Sequence, residues 1–406
     1  MAQSFSGPQL AQDKTKAADL NFSAWIEVDL NALEENLQEI ERHTQATLCP
    51  ILKGDAYGHG APVVSAFLES KGLRLLGVSD LDEALEIIPF TSAKILMLTP
   101  PLPSQIPLVL KQKIIPCVSS SQLISQLGLE AQKQKQTVPL HLKIDTGLGR
   151  LGAELEEAEG LARLIKKNPY LKLEGVFTHF TASTKTELTR GQLRRFLEIK
   201  NQLSAAGYSA LLWHAANSGA LVSCARCHLD LVRIGTLLYG QAPCSLDRSW
   251  RLKDTWSFHT RLIQIKELPA GRSVGYGPSY RTRRPTIVGI IPVGYQDGLE
   301  LEPSTTLRRQ LKQLLKKAIE QKKPAYLPDG SPLPILGRIG MSLTCLDLSK
   351  HPQLQIGAEV LLSMRRTTAA KSIPKVYLQD GKIKCVYKAH RILNLAGAKH
   401  CLRGLF

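Results

Sequence analysis

No stretch of the 406 residues approaches the roughly 18 consecutive apolar positions of a membrane span, so no membrane helix is expected. Residues 1–22 are polar and have no apolar segment, which argues against a secretion signal. The expectation is a cytoplasmic protein whose residues 1–24 form a loose N-terminal arm. Aromatic residues are scarce, at 6%, and no recognised nucleic-acid motif is present. The net charge of +17, from 52 Lys and Arg against 35 Asp and Glu, is scattered over otherwise ordinary helices. Nucleic-acid binding is therefore not expected, and a generally basic proteome or a field suited to an anionic substrate is the expectation instead. The eight cysteines are dispersed, which excludes a disulfide framework as the organising device. Cys224-Ala-Arg-Cys227-His228 has the spacing of a c-type haem attachment. Without an export signal, it reads as two buried or half-buried thiols at i and i+3.

What is present is a globular composition, 43% hydrophobic and 21% charged, in a chain long enough for two to three domains. Strand-like apolar runs recur near Leu48, Leu75, Ile95, Ile115, Leu142, Val176, Leu212 and Val232. Helix-like runs such as Leu33-Leu37-Ile40 and Leu193-Phe196-Ile199 separate them. Such alternation predicts an α/β fold, a parallel (β/α)8 barrel over residues 25–250. From Trp256 the texture changes to short Val, Ile and Pro-rich runs with Gly and Pro turns, predicting a mainly β C-terminal domain over 256–406. Inserted in it near 305–323 is a basic segment with Leu307, Leu311, Leu314, Leu315, Ala318 and Ile319 on one helical face, expected to dock on its own domain.

The chain is organised around Ile51-Leu52-Lys53-Gly54-Asp55-Ala56-Tyr57-Gly58-His59-Gly60. A short apolar strand ends here, and Gly58, Gly60 and Pro62 break the pattern before a helix resumes. Lys53 thus stands at the carboxyl end of a strand, where barrels of this kind place their chemistry. Later strand ends carry Lys143-Ile-Asp145-Thr-Gly-Leu-Gly-Arg150, Thr178-His179-Phe180, His214-Ala-Ala-Asn217-Ser218 and Arg233-Ile-Gly235-Thr236. Packing alone does not account for so many chemically competent strand ends on one face. The second domain adds Val274-Gly-Tyr276-Gly, Gly294-Tyr295-Gln-Asp297 and Gly337-Arg338-Ile-Gly340-Met341.

The decapeptide resembles the pyridoxal-phosphate signature of the alanine racemases, departing at Gly54, where that family usually has alanine. The other motifs resemble the family's in order and separation, from about Trp25 to Asp347. Ser342 departs as well, standing where aspartate is usual, and a tyrosine segment that narrows the family's entrance has no counterpart between Glu359 and Tyr377.

By that resemblance the cofactor is pyridoxal 5'-phosphate and Lys53 forms the Schiff base with it. Ser218, Gly235, Thr236 and the Tyr57 hydroxyl would hold the phosphate, and Arg233 would face the pyridine nitrogen. Arg150 would lie near the cofactor phenolate oxygen and the substrate carboxylate, and the backbone amide of Met341 would meet the substrate, with Lys143 a candidate for carbamylation that positions Arg150, and with Tyr295 as support. Racemisation needs a base on each face of Cα. Lys53 and Tyr276 are the implied pair, Tyr276 crossing into the partner subunit's barrel in a homodimer, with His179 and Arg233 relaying a bias to it. No metal is implied. The activity implied is interconversion of L- and D-alanine, supplying D-alanine for peptidoglycan. The rivals are a same-fold racemase for serine or lysine and a pyridoxal-phosphate-binding protein with reduced activity.

Overall fold

The computed structural model describes residues 20–184, 186–277, 280–301, 325–388 and 391–393. The basic segment near 305–323 and most of the N-terminal arm lie outside the described residues. The described residues form two compact units, one of residues 32–254 and one that joins residues 20–31 with those from 255 to 393.

The first unit carries eight short strands: β2 (Thr47–Pro50), β3 (Leu75–Val78), β4 (Lys94–Met97), β5 (Cys117–Val118), β6 (Val138–Lys143), β7 (Leu171–Phe177), β8 (Leu212–His214) and β9 (Leu231–Ile234). Helices follow most of them, and all strand pairings in this unit are parallel. The pairing runs β3 to β4, then β5 through β6 and β7 to β8, and β9 pairs with β2. Single bridges link the rest: Ile51 with Gly77, Leu96 with Ile115, and Asn217 with Arg233. Strands covered on both faces need continuous apolar runs rather than alternation. Leu231, Val232 and Ile234 are fully buried accordingly, and Arg233 is the polar exception among them. The surrounding helices are amphipathic. In Ala158–Lys167, for example, Leu161, Ala162 and Ile165 are buried, while Lys166 and Lys167 lie in the last turn, where the helix dipole favours cations.

The second unit is mainly β. Its larger sheet contains β1 (Ala24–Asp29) between β10 (Trp256–Arg261) and β18 (Lys375–Gln379). A smaller four-stranded sheet is built on β12 (Thr286–Ile291) and packs Val274, Val288 and Leu336 together. The barrel expected to start at 25 is corrected here. Ala24 through Val28 pair with Thr260 through Trp256, and Trp25 stacks on His259 at 5.2 Å and packs with Val376 and Val386. The apolar residues Trp25, Ile26 and Val28 say that this strand is buried but not against what, and its partner lies more than 200 residues away.

The reading of Cys224 and Cys227 as two thiols is corrected too. They are joined as a disulfide, because the 3-10 turn Ala225–Cys227 brings their Cα atoms to 5.4 Å, within bridging range. No helix among the described residues is long and apolar enough to cross a membrane.

Candidate active site

The site in the first unit begins where β2 ends. Lys53 opens a turn in which Gly54, Asp55, Ala56 and Tyr57 all hold left-handed backbone angles, with φ of 62°, 56°, 53° and 55°. Glycine adopts these at no steric cost, which gives the Gly54 departure a physical use. Three successive residues with side chains do not, at about 1–2 kcal/mol each. Strain of this kind persists only where the surroundings fix it, and it gathers at functional sites. Asp55 Oδ1 accepts the Ala61 N–H at 2.8 Å, and Glu83 Oε1 accepts the Gly54 N–H at 2.6 Å. The turn holds the Lys53 amine 5.9 Å from the centre of the half-buried Tyr57 ring.

Lys53 is exposed as a residue, yet partial desolvation lowers the pKa of its amine, and the charges of Arg150 and Arg233 lower it further against the opposing pull of Glu83. His179 is driven down to about 3 by burial and by Arg233, Lys53, Arg150 and Lys143. It is therefore neutral in the physiological range. These mutual influences bring the predicted Lys53, Lys143, Arg150, His179 and Arg233 into one electrostatic neighbourhood. Lys143 is buried, donates to the Leu98 carbonyl at 2.9 Å and lies 5.3 Å from the Phe177 ring centre. The loop carrying the exposed Arg150 is fastened by Asp145, whose carboxylate accepts the N–H groups of Gly147, Leu148 and Arg150 at 2.8, 2.7 and 3.0 Å.

Arg233 is buried at 3% exposure and almost fully committed. NH1 donates to His214 Nδ1 at 2.8 Å and to the His214 carbonyl at 3.1 Å, and NH2 donates to the carbonyls of Thr178 and Ala215 at 2.7 and 3.0 Å. Burial lowers it to about 10, so it stays cationic at neutral pH. Four of five donors are taken, and only Nε–H has no partner among the described residues. Because arginine only donates, His214 Nδ1 must accept. His214 Nε2 then carries the proton and donates to His141 Nδ1 at 2.9 Å.

Beside this lies a cradle of backbone donors. Asn217 Oδ1 accepts the Ala220 N–H at 3.0 Å and so orients Ser218, which is buried. Ser218 Oγ accepts the N–H groups of Gly235 and Leu237 at 3.0 and 3.4 Å. A Cβ built on Gly235 would stand 2.4 Å from the Tyr57 hydroxyl, so only glycine lets that hydroxyl reach the cradle. Thr236, half-buried, follows Gly235 in the chain. Converging amides and hydroxyls with cations nearby fit a phosphate dianion, and a free lysine amine close by fits an aldehyde. The residues present thus fit pyridoxal phosphate.

The second unit gathers the other predicted residues. Tyr276 lies between Gly275 and Gly277, both at positive φ, and is 78% exposed. The Tyr295 N–H donates to the Gly340 carbonyl at 3.0 Å and the Gln296 N–H to the Met341 carbonyl at 3.1 Å. A Cβ on Gly340 would lie 3.7 Å from the Tyr276 ring, so Tyr276, Tyr295 and Met341 share one surface. Met341 is 56% exposed.

Sequence reasoning missed Glu83 and His141. Glu83 looks like an ordinary first-turn helix carboxylate, and its position just after a barrel strand was the one available signal. His141 lies at a core position of β6 with nothing local to mark it.

The model of the alanine racemase N-terminal domain matches residues 28–243, and that of the C-terminal domain matches residues 255–384. The second match runs past Asp347, where the motif resemblance ends. An alanine racemase of Desulfosudis oleivorans is 36% identical over 358 residues, 84% of this chain and 87% of the relative. The alanine racemase of Bacillus anthracis with bound L-Ala-P has a TM-score of 0.78 at 26% identity, covering 92% of this chain and 98% of the other. The alanine racemase of Bartonella henselae with covalently bound pyridoxal phosphate has a TM-score of 0.74 at 24% identity, covering 88% of this chain and 100% of the other.

Proposed function

The chain belongs to the alanine racemase family, and from that premise we propose how its residues interconvert L- and D-alanine. It is a pyridoxal-phosphate-dependent isomerase. The cyclic run of strand pairings supports a closed (β/α)8 barrel as its cofactor-bearing domain. The observation that carries the residue assignment is the shared neighbourhood of Lys53, Arg150, His179 and Arg233, with a single uncommitted Arg233 donor.

When bound, pyridoxal phosphate offers an aldehyde to an amine and withdraws electrons from the carbon that amine carries. Lys53 supplies the amine that holds it. Ser218, Gly235, Thr236 and Tyr57 hold the phosphate. Arg233 would face the ring nitrogen as a hydrogen-bond donor, and because a guanidinium does not accept, that nitrogen would stay unprotonated, which restrains electron withdrawal and favours proton return over side reactions. Arg150 and the Met341 amide take the alanine carboxylate, and Lys143 and Tyr295 support that pocket. The desolvated Lys143 amine is competent for carbamylation.

Lys53 and Tyr276 exchange the proton at Cα from opposite faces. A free lysine or tyrosine, near pKa 10, is almost wholly protonated at neutral pH and so a poor proton acceptor, and burial together with the cations around Lys53 favours its neutral amine. Tyr276 and Met341 stand exposed on their own unit, which supports a homodimer in which the second unit of one copy completes the barrel site of another. A cytoplasmic role in supplying D-alanine for peptidoglycan follows from this activity.

The test is deuterium wash-in at Cα of L- and D-alanine by the holoprotein, run beside L-serine and L-lysine. Exchange of both alanine enantiomers with interconversion is expected. Exchange confined to serine or lysine moves the assignment to another racemase, and a borohydride-reducible chromophore with no exchange leaves only binding.

A further inference from the structure

Glu83 touches neither substrate nor cofactor in the scheme above, yet it is fixed against the turn that carries Lys53. It stands in the first turn of the helix Leu81–Ile87, whose start is capped when Asp80 Oδ1 accepts the Glu83 N–H at 3.1 Å. One carboxylate oxygen, Oε2, accepts the N–H of Ser79, just after β3, at 2.7 Å, which is ordinary work for a carboxylate at a helix start. The other is not ordinary. Oε1 reaches 29 residues back in the chain to the N–H of Gly54, at 2.6 Å.

Gly54 is the first left-handed residue of the strained turn. Its N–H points out of that turn, and the bond it finds determines where the turn starts. Asp55 fastens the far end to Ala61, and Glu83 fastens the near end to the end of β3. A charged acceptor makes the stronger kind of hydrogen bond, and two backbone donors on two strand ends leave the carboxylate little freedom.

We propose that Glu83 is a positioning residue for Lys53: its carboxylate clamps the left-handed turn 53–57 in the form that presents the Lys53 amine and the Tyr57 hydroxyl to the cofactor. The inference rests on Lys53 being the cofactor-bearing lysine. It has an electrostatic consequence. The charged and titratable groups that act on the Lys53 amine are Arg150, Glu83 and Arg233, with the neutral His179 beside them. Of these, only Glu83 raises the pKa, so removing its charge lowers it further.

Glu83→Gln keeps the shape but has one acceptor oxygen instead of two and places an amide donor against a backbone donor. In the cofactor-free protein, the Gly54 or Ser79 amide is expected to exchange with deuterium about tenfold faster or more. Lys53 acetylation, followed by mass spectrometry, is expected to reach half-maximum at lower pH than in wild type. In the loaded enzyme kcat is expected to fall about ten- to a hundredfold while KM for alanine moves little, as misplacement of a catalytic group predicts. Unchanged exchange at both amides together with an unchanged labelling midpoint overturns the inference, whatever happens to turnover. Should Glu83→Gln fail to fold, Glu83→Asp carries the same test. Shorter by one methylene, it cannot span both donors but keeps the charge, so faster exchange with a near-native labelling midpoint is expected, and native exchange overturns the clamp. Failure of the underlying reading looks different: Lys53→Ala would retain the borohydride-reducible cofactor link even with Glu83 intact.

Discussion

In the unit of parallel strands, the polar groups around Arg233 are buried and bonded to one another, while Lys53 and Arg150 are exposed. Arg233 is 3% exposed with four donors committed, and His214 and His141 hold each other in fixed tautomers. In the β unit the candidate side chains stand out from the surface, Tyr276 at 78% exposure and Met341 at 56%. A group that acts within its own domain can be preorganised by that domain, and its desolvation shifts its pKa in place. A group that acts on another surface must wait for that surface. In the proposed function the first unit binds and biases and the second completes, and removing one residue from each is the sharpest way to test that division.

The largest effect is expected in the first half. Lys53→Ala should remove the borohydride-reducible cofactor link and lower turnover by about 10⁴-fold or more, since a nucleophile and a base are lost together. Retained racemisation would sink the assignment. Tyr276→Phe should leave the cofactor link intact and cost about 10²–10⁴-fold. Its loss should fall mainly on proton removal from L-alanine, read as solvent deuterium entering from each enantiomer. Equal losses from both would break the proposed division between the two bases.

The same contrast decides what the sequence made legible. Eight strands and their chemically active ends were readable because apolar runs, glycine breaks and the residues after them are local features. Lys53, Arg150, His179 and Arg233 fell together because parallel strands bring successive carboxyl ends to one face. Three things were not local. The partner of the Trp25 strand lies more than 200 residues away. Glu83 acts on a backbone N–H 29 residues upstream from an unremarkable helix start. Cys224 and Cys227, expected as two thiols, are paired by a 3-10 turn that their spacing alone does not specify.

Acid should affect the barrel unit through its buried histidines. His141 is lowered to about 4 by burial, His179 to about 3, and His214 well below 6.5. A depressed histidine binds its proton more tightly in the unfolded chain, so stability is unaffected above about pH 6.5 and falls as pH drops toward the folded values, by about 1.4 kcal/mol per pH unit for each group. Urea denaturation followed by fluorescence is expected to show a loss of several kcal/mol between pH 7 and pH 4.5. A flat profile would mean that these rings are solvated or paired in a way the structure does not show.

A smaller effect is expected from Gly175→Ala. The added Cβ would meet the His141 ring at 2.6 Å from Cε1 and 2.7 Å from Nδ1, and the ring is already bonded to His214. Overpacking of this kind costs about 1–3 kcal/mol. The substitution should also disturb the tautomer chain to Arg233. A lowered urea midpoint accompanied by weaker cofactor retention is expected, and a lowered midpoint alone would confine His141 to packing.

The smallest effect is expected from reducing the Cys224–Cys227 bond, although it joins the end of the Ser218–Ser223 helix to the turn leading into β9. A cross-link stabilises chiefly by removing loop freedom from the unfolded chain, and with a sequence separation of 3 there is little to remove. Loop-closure entropy sets the loss at no more than about 2 kcal/mol. The helix start does not depend on the bond, because Asn217 caps it from the opposite end. Reductant should therefore shift the urea midpoint slightly and leave cofactor retention unchanged. A marked loss of cofactor on reduction would show that the phosphate cradle is held from its far side as well, and that the barrel half is less self-sufficient than its buried network implies.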